Sequence, residues 1–101
     1  MTIRIHPQAQ EEIESARVYL ESQRPGWGGH LLSEVEQALH SANENPASCT
    51  TLETLPNGYP FRRIRLRRFR YLLIFIEWES QLTLIAFCHS RRRPHYWLSR
   101  I

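Results

Sequence analysis

The sequence has 101 residues, 42% of them hydrophobic, which suits one packed domain spanning residues 1–101 and is too short for two. No run approaches the roughly 20 apolar residues that a membrane span needs, and the start has no apolar signal core, so a cytoplasmic protein is expected. Residues 1–60 carry three arginines and eight glutamates, whereas residues 61–101 carry ten arginines and two glutamates. The basic second half predicts an acidic partner, either nucleic acid or an acidic protein segment.

The first part of the chain predicts a short strand and two helices. Residues 2–6 alternate apolar and polar side chains, as a short strand does. Pro7 suits a first helical position, and a helical stripe of apolar residues follows it: Ala9, Ile13, Ala16 and Leu20. The run from Arg24 to Gly29 interrupts this helix, and a second stripe then extends towards Pro46: Leu31, Leu32, Val35, Ala38, Leu39 and Ala42. The two helices are expected to form an antiparallel hairpin, with Trp27 capping it.

The second part predicts three strands after an irregular connection over residues 46–60, which is rich in proline. From Phe61, Ile64 and Leu66 alternate with arginines, so this strand has one basic face. Residues 71–76 are apolar on both faces and predict a central strand. A turn over residues 77–81 and a last strand over residues 82–89 follow, with the side chains of Ala86 and Phe87 expected on opposite faces, Ala86 beside Leu82 and Leu84.

The expected fold is therefore α+β with the order β-α-α-β-β-β. The last three strands are expected to form an antiparallel meander, and the helical hairpin packs on one face of this sheet core. The central strand is apolar on its other face too, and either the C-terminal tail or a partner is expected to cover that face.

The cysteines and histidines form no metal-binding motif. Cys49 and Cys88 lack the close spacing of a zinc pair, and the five histidines are scattered singly. In a chain without a secretory signal, reduced thiols are expected. We therefore expect neither a metal ion nor another cofactor.

Five segments occur in an order that is typical of one protein family. They are I-R-I-H-P-Q-A at 3–9, R-P-G-W-G at 24–28, L-L-S-E-V-E-Q-A-L at 31–39, R-R-I-R-L-R-R-F-R-Y at 62–71, and H-S-R-R-R-P-H-Y-W-L-S-R at 89–100. Together they resemble the RelE/ParE toxin superfamily, and more closely its ParE-like, plasmid-stabilisation branch. Arg70 is a departure, because many relatives have proline there. The resemblance implies a growth-inhibiting toxin of a type II toxin–antitoxin system, neutralised by a cognate antitoxin whose often acidic segment wraps the sheet and helices.

The resemblance implies two alternative activities. RelE-like proteins cut mRNA in the ribosomal A site, whereas ParE-like proteins poison DNA gyrase and have no agreed catalytic residues. Where RelE-like enzymes carry lysines, this chain has Arg63 and Arg65, and arginine is a poor proton carrier because it stays charged. The family's arginine in the next strand falls on Leu72. Inhibition of gyrase by binding is therefore the favoured function, a ribosome-dependent endoribonuclease is the alternative, and a non-toxic binding module is a third reading.

Each activity has its own candidate residues. In a ribonuclease, His89 and Tyr96 would act as acid or base, while Arg65 and Arg91 would hold phosphate. In a binding protein, arginines and aromatic residues of the first basic strand and the tail would contact the target or the antitoxin: Arg62, Arg63, Arg65, Arg67, Arg91, Arg92, Arg93, Tyr96 and Trp97. Structural roles are the other interpretation: tail arginines paired with helix glutamates, His89 hydrogen-bonded within the fold, and the two tail aromatics packed on the sheet.

Overall fold

The computed structural model describes residues 3–45, 50–51, 61–79, 81–92 and 96–100. The elements, in chain order, are β1 (Arg4–Ile5), α1 (Pro7–Gln23), α2 (Trp27–Glu44), β2 (Thr50–Thr51), β3 (Phe61–Arg65), β4 (Tyr71–Trp78), β5 (Gln81–His89) and a C-terminal 3₁₀ helix (Tyr96–Arg100). The strands form one sheet in the order β1-β5-β4-β3-β2. The predicted α+β fold, with its helical hairpin and C-terminal strands, is confirmed.

The sheet is mixed. Strands β3, β4 and β5 form the predicted antiparallel meander with β4 at its centre, but β1 pairs with β5 in parallel. Strand β2 pairs with β3 inside the segment that was expected to be irregular, so that expectation is wrong for Thr50 and Thr51. Two residues are too few for a period of two to be recognised. The predicted turn over residues 77–81 is also too long, because β4 continues through Trp78 and β5 begins at Gln81.

The helical hairpin turns more tightly than the sequence indicates. Helix α1 ends at Gln23 and α2 begins at Trp27, so only residues 24–26 separate the two helices, and Gly28 and Gly29 belong to α2. Gly26 adopts a φ of +93°, a left-handed conformation that glycine adopts without steric cost. At Gly28 a Cβ atom would lie 3.0 Å from the backbone oxygen of Arg17, so the lack of a side chain lets the two helices approach closely.

The core has two parts, one on each face of the sheet. We call the face towards the helices the inner face and the opposite one the outer face. The stripe of α1 is fully buried, and Leu31, Val35, Ala38 and Ala42 of α2 are buried beside it. On the outer face a smaller cluster surrounds Trp97, whose side chain is only 6% exposed. The tail therefore covers part of the second apolar face, one of the two covers that the sequence indicates.

A bulge decides which face the end of β5 presents. Ile74 pairs with Ala86 but Phe75 pairs with Leu84, so Ile85 is an extra residue in β5. Ile85 and Ala86 both pack in the outer cluster, and Phe87 rejoins the inner core. The predicted alternation is therefore wrong at Ala86 and Phe87, because one inserted residue reverses the faces of all that follow it.

Candidate functional site

Strand β3 carries arginines on both faces of the sheet. Phe61 packs in the outer cluster and Ile64 packs against the inner core, so strand alternation places Arg63 and Arg65 on the outer face and Arg62 on the inner face. Nη2 of Arg62 lies 3.5 Å from Oε1 of Glu77. The basic face that the sequence predicts for this strand is therefore formed by two side chains, while Arg62 is held beside a carboxylate.

The connection between β3 and β4 adds three more exposed arginines. The backbone amides of Arg67 and Arg68 each donate a hydrogen bond to Oε1 of Glu34 on α2, at 3.1 Å. Phe69 is buried between these residues and Arg70. Because the backbone and Phe69 are held, the neighbouring arginine side chains project into solvent.

We call the five arginines of β3 and this connection that project outwards or into solvent the arginine patch: Arg63, Arg65, Arg67, Arg68 and Arg70. Four of them are exposed, and Arg63 is half-buried. Within the part of the chain that the structure describes, none of the five makes an ion pair. A concentration of unneutralised guanidinium groups suits phosphate or carboxylate ligands, which arginine binds through two parallel hydrogen bonds.

A second set of charges lies at the other side of the sheet, where β5 extends past the end of β1. The amide of Phe87 donates to Oε1 of Glu12 at 3.1 Å, and Nη1 of Arg100 donates to the backbone oxygen of Ile85 at 2.8 Å. These side chains supply the hydrogen bonds that a further strand would have made along this edge.

The same two side chains bind each other and Tyr96. Nη1 of Arg100 lies 2.7 Å from Oε1 of Glu12, and the Tyr96 hydroxyl donates a hydrogen bond to Oε2. We call Glu12, Tyr96 and Arg100 the Glu12 cluster. The side chains of Glu12 and Arg100 are only 14% and 10% exposed, so the cluster joins α1, β5 and the C-terminal 3₁₀ helix in a region largely shielded from water.

The surroundings fix the charges of the Glu12 cluster. Burial raises the pKa of Glu12, but hydrogen bonds from Arg100, Tyr96 and the Phe87 amide outweigh burial and hold that pKa below its ordinary value. Burial and the hydrogen bond to Glu12 raise the pKa of Tyr96 well above its usual range. Glu12 is therefore ionised near neutral pH, and the Tyr96 hydroxyl keeps its proton.

The tail arginines lie near this cluster. The guanidinium carbon of Arg92 is 3.9 Å from the centre of the Tyr96 ring, and its Nη1 is 3.9 Å from Oε2 of Glu12. Arg91 is exposed, and its amide donates to Nδ1 of His89 at 3.2 Å. Trp97 packs on Phe61, with ring centres 6.5 Å apart. Arg93 lies outside the described residues.

Comparison with known families agrees with this architecture. The model of the family described as the ParE toxin of the type II toxin–antitoxin system, parDE, matches residues 3–94. The chain belongs to this family. It is therefore the toxin of a type II toxin–antitoxin system, and family membership implies an antitoxin partner. Among curated proteins none matches the toxin significantly. In its described residues, no helix has the length and apolar character that crossing a membrane requires.

The structure of the toxin places the candidate residues for a ribonuclease on both faces of the sheet. Arg65 pairs in register with Leu72 and lies on the outer face. His89 pairs with Tyr71, whose ring packs against the inner core, so His89 points towards the helix side. The Tyr96 hydroxyl is bound to Glu12. Tyr96 packs against the same outer cluster as Leu72, the partner of Arg65, and the backbone amide of Arg91 is hydrogen-bonded to His89.

Sequence reasoning missed the central role of Glu12 in the toxin. Pairing of tail arginines with helix glutamates was one of the expected interpretations, but the sequence did not single out Glu12 among those glutamates. One sequence signal was available, because Glu12 lies next to the buried stripe, three residues after Ala9 and beside Ile13. Its partners Phe87 and Arg100 are 75 and 88 residues away, so only the tertiary structure reveals the contact.

Proposed function

We propose that the toxin inhibits growth in the cytoplasm by binding DNA gyrase, and that its antitoxin neutralises it with an acidic segment that contacts the arginine patch. The observation that carries this proposal is the arginine patch, whose five guanidinium groups make no ion pair within the described residues. Arginine binds carboxylates and phosphates through paired hydrogen bonds but stays charged and is a poor proton carrier, so binding explains the exposed arginines better than RNA cleavage does.

The tail is the proposed contact with gyrase. Arg91 and Arg92 follow the last residue of β5 and are exposed. The Glu12 cluster holds the 3₁₀ helix that follows them, and Arg92 stacks on the Tyr96 ring. An arginine that is already held against a ring loses less conformational freedom on binding than an unheld one would.

Purified toxin tests the proposed target directly. We expect it to inhibit supercoiling by gyrase and to increase cleavage complexes. Arg91→Ser should weaken inhibition several-fold, because Arg91 is exposed and its side chain contributes charge without supporting the fold. Arg4→Ser is the matched control, since Arg4 is an exposed arginine on the short strand β1. Gyrase that is unaffected at saturating toxin would show that this target is wrong.

The alternative is a ribosome-dependent endoribonuclease. It is favoured by one observation: Arg63 and Arg65, at the positions where RelE-like enzymes carry lysines, share the outer face of β3. Two guanidinium groups on one surface suit the stabilisation of a phosphate in a cleavage reaction. Absence of new mRNA ends after induction of the toxin would count against this alternative.

A further inference from the structure

An apolar pocket lies at the end of the toxin where the α1–α2 turn meets the connection between β3 and β4. Its volume is about 290 Å³, and its apolar walls include Tyr19, Leu20, Trp27, Phe69 and Tyr71. Trp27 and the Phe69–Tyr71 segment belong to two of the sequence segments that carry the family resemblance, R-P-G-W-G and R-R-I-R-L-R-R-F-R-Y. His89 lines this pocket as well, but the contact with gyrase that is proposed for the tail does not use it.

The walls of the pocket are held in place by packing. The rings of Trp27 and Phe69 meet edge to face with centres 6.1 Å apart. Tyr71 stacks on Phe87 at 4.9 Å, with the two rings nearly parallel. Tyr19 differs from these residues, because its side chain is 57% exposed. The pocket therefore has a preformed aromatic floor and one exposed aromatic side chain at its mouth, which is a suitable geometry for an inserted apolar group.

Positive charge surrounds the mouth. Arg68 and Arg70 of the arginine patch line the pocket, and the guanidinium carbon of Arg24 lies 5.6 Å from the centre of the Trp27 ring. Glu21 is the nearby acidic residue at the turn, and its carboxylate already accepts hydrogen bonds from the amides of Gly26 and Gly28. An incoming segment thus meets an apolar cavity with a cationic rim.

We propose that this pocket receives one large apolar side chain from an acidic segment of the antitoxin, whose carboxylates bind the arginines at the rim. The volume suits one large side chain. The apolar surface of the walls fits one aliphatic or aromatic side chain, and the arginines at the rim complement the carboxylates of an acidic segment. The identity of the partner rests on the proposed function. The chemistry of the ligand that fits the pocket, an apolar side chain flanked by acidic residues, does not rest on it.

Two synthetic peptides provide the probe. One has a central phenylalanine flanked on both sides by aspartate and glutamate, and the other has serine in place of phenylalanine. Binding to the isolated toxin is followed by fluorescence anisotropy of a dye on the peptide. We expect the phenylalanine peptide to bind at least about tenfold more tightly, because burying one large apolar side chain contributes roughly ten- to hundredfold to affinity.

Variants of the toxin locate the binding. Tyr19→Ser should lower the affinity for the phenylalanine peptide several-fold and leave the affinity for the serine peptide unchanged. Val18→Ser should change neither affinity. Val18 is the matched control because it is 52% exposed on the same helix and does not line the pocket. Arg70→Ser should lower the affinity for both peptides. Circular dichroism establishes that each variant is folded.

The outcomes are distinct. Equal affinity for the two peptides, or no binding of either, would overturn the pocket proposal, and so would a loss on Tyr19→Ser that Val18→Ser reproduces. Displacement of the phenylalanine peptide by a single-stranded oligonucleotide in preference to the acidic peptide would assign the pocket to nucleic acid instead. Because these assays contain no gyrase, failure of gyrase inhibition leaves their result intact, and the two proposals fail separately.

Discussion

Arginine has opposite roles in two regions of this toxin. In the Glu12 cluster, Arg100 is 10% exposed, bonds a carboxylate and donates a hydrogen bond to the backbone oxygen of Ile85 in β5. In the arginine patch, four of five side chains are exposed, and no ion pair holds any of them within the described residues. Residue type and net charge therefore do not distinguish an arginine that holds the fold from one that is available to a partner. Burial and partners do.

The difference has an energetic consequence. A buried ion pair is costly to break from one side, because the remaining charge stays desolvated without a partner. Exposed charges contribute little to stability, since water and salt screen them. The Glu12 cluster is therefore expected to control stability, and the arginine patch is expected to control binding.

The largest effect is expected from Glu12→Gln. This change keeps the shape of the side chain but leaves Arg100 buried beside a neutral amide, so the free energy of unfolding should fall by about 3 kcal/mol. Arg65→Gln in the arginine patch is the control, and it should change stability by less than about 0.5 kcal/mol. Urea unfolding followed by circular dichroism measures both. Equal losses for the two variants would remove the distinction between the regions.

Charge reversal of the arginine patch should produce the complementary result. A toxin with Arg63→Glu, Arg65→Glu and Arg67→Glu should bind its antitoxin about thirtyfold or more weakly, because three attractive contacts become repulsive. Its stability should stay close to that of the unchanged toxin. Isothermal titration calorimetry measures the affinity. Unchanged affinity in a folded variant would show that the antitoxin does not use this surface.

Acid should affect stability through the Glu12 cluster. The pKa of Glu12 is lowered in the folded toxin, so its ionised form stabilises the fold above the ordinary carboxylate pKa of about 4.3, and this contribution disappears as pH falls through the folded pKa. The free energy of unfolding, measured from unfolding curves across acidic pH, should fall less for Glu12→Gln than for the unchanged toxin as the pH is lowered. Parallel losses in the two proteins would assign the acid sensitivity to other carboxylates.

Salt is expected to have the smallest effect of these changes, and to act more on the arginine patch than on the Glu12 cluster. Raising the salt concentration from about 0.05 to 0.5 M should weaken the antitoxin complex severalfold, because the Debye length falls from about 14 Å to about 4 Å and exposed charges are then screened more strongly. The stabilisation by Glu12 and Arg100 should change less, since their side chains are largely buried. To test this expectation, the affinity for the antitoxin and the loss of unfolding free energy caused by Glu12→Gln are each measured at both salt concentrations. A salt-independent complex would contradict an electrostatic contact.

The sequence predicts the parts of this structure that repeat with a regular period. Ala9, Ile13 and Leu20 recur along one helical face, and each is buried as the period requires. The bulge at Ile85 has no such signal, because its extra residue is defined only by pairing with β4. For the candidate site, the exposed arginines of the β3–β4 connection follow from composition and alternation. The Glu12 cluster does not, because its contacts join the two ends of the chain.

The most direct test of the central claim, inhibition by binding rather than by RNA cleavage, is expression of the toxin without its antitoxin. Transcript 5′ ends are mapped across the cell, and plasmid supercoiling is measured in the same cultures. We predict intact messages together with altered supercoiling and induced DNA damage. New cuts at codon spacing in translated messages, with supercoiling unchanged, would contradict the claim and identify the toxin as a ribosome-dependent endoribonuclease.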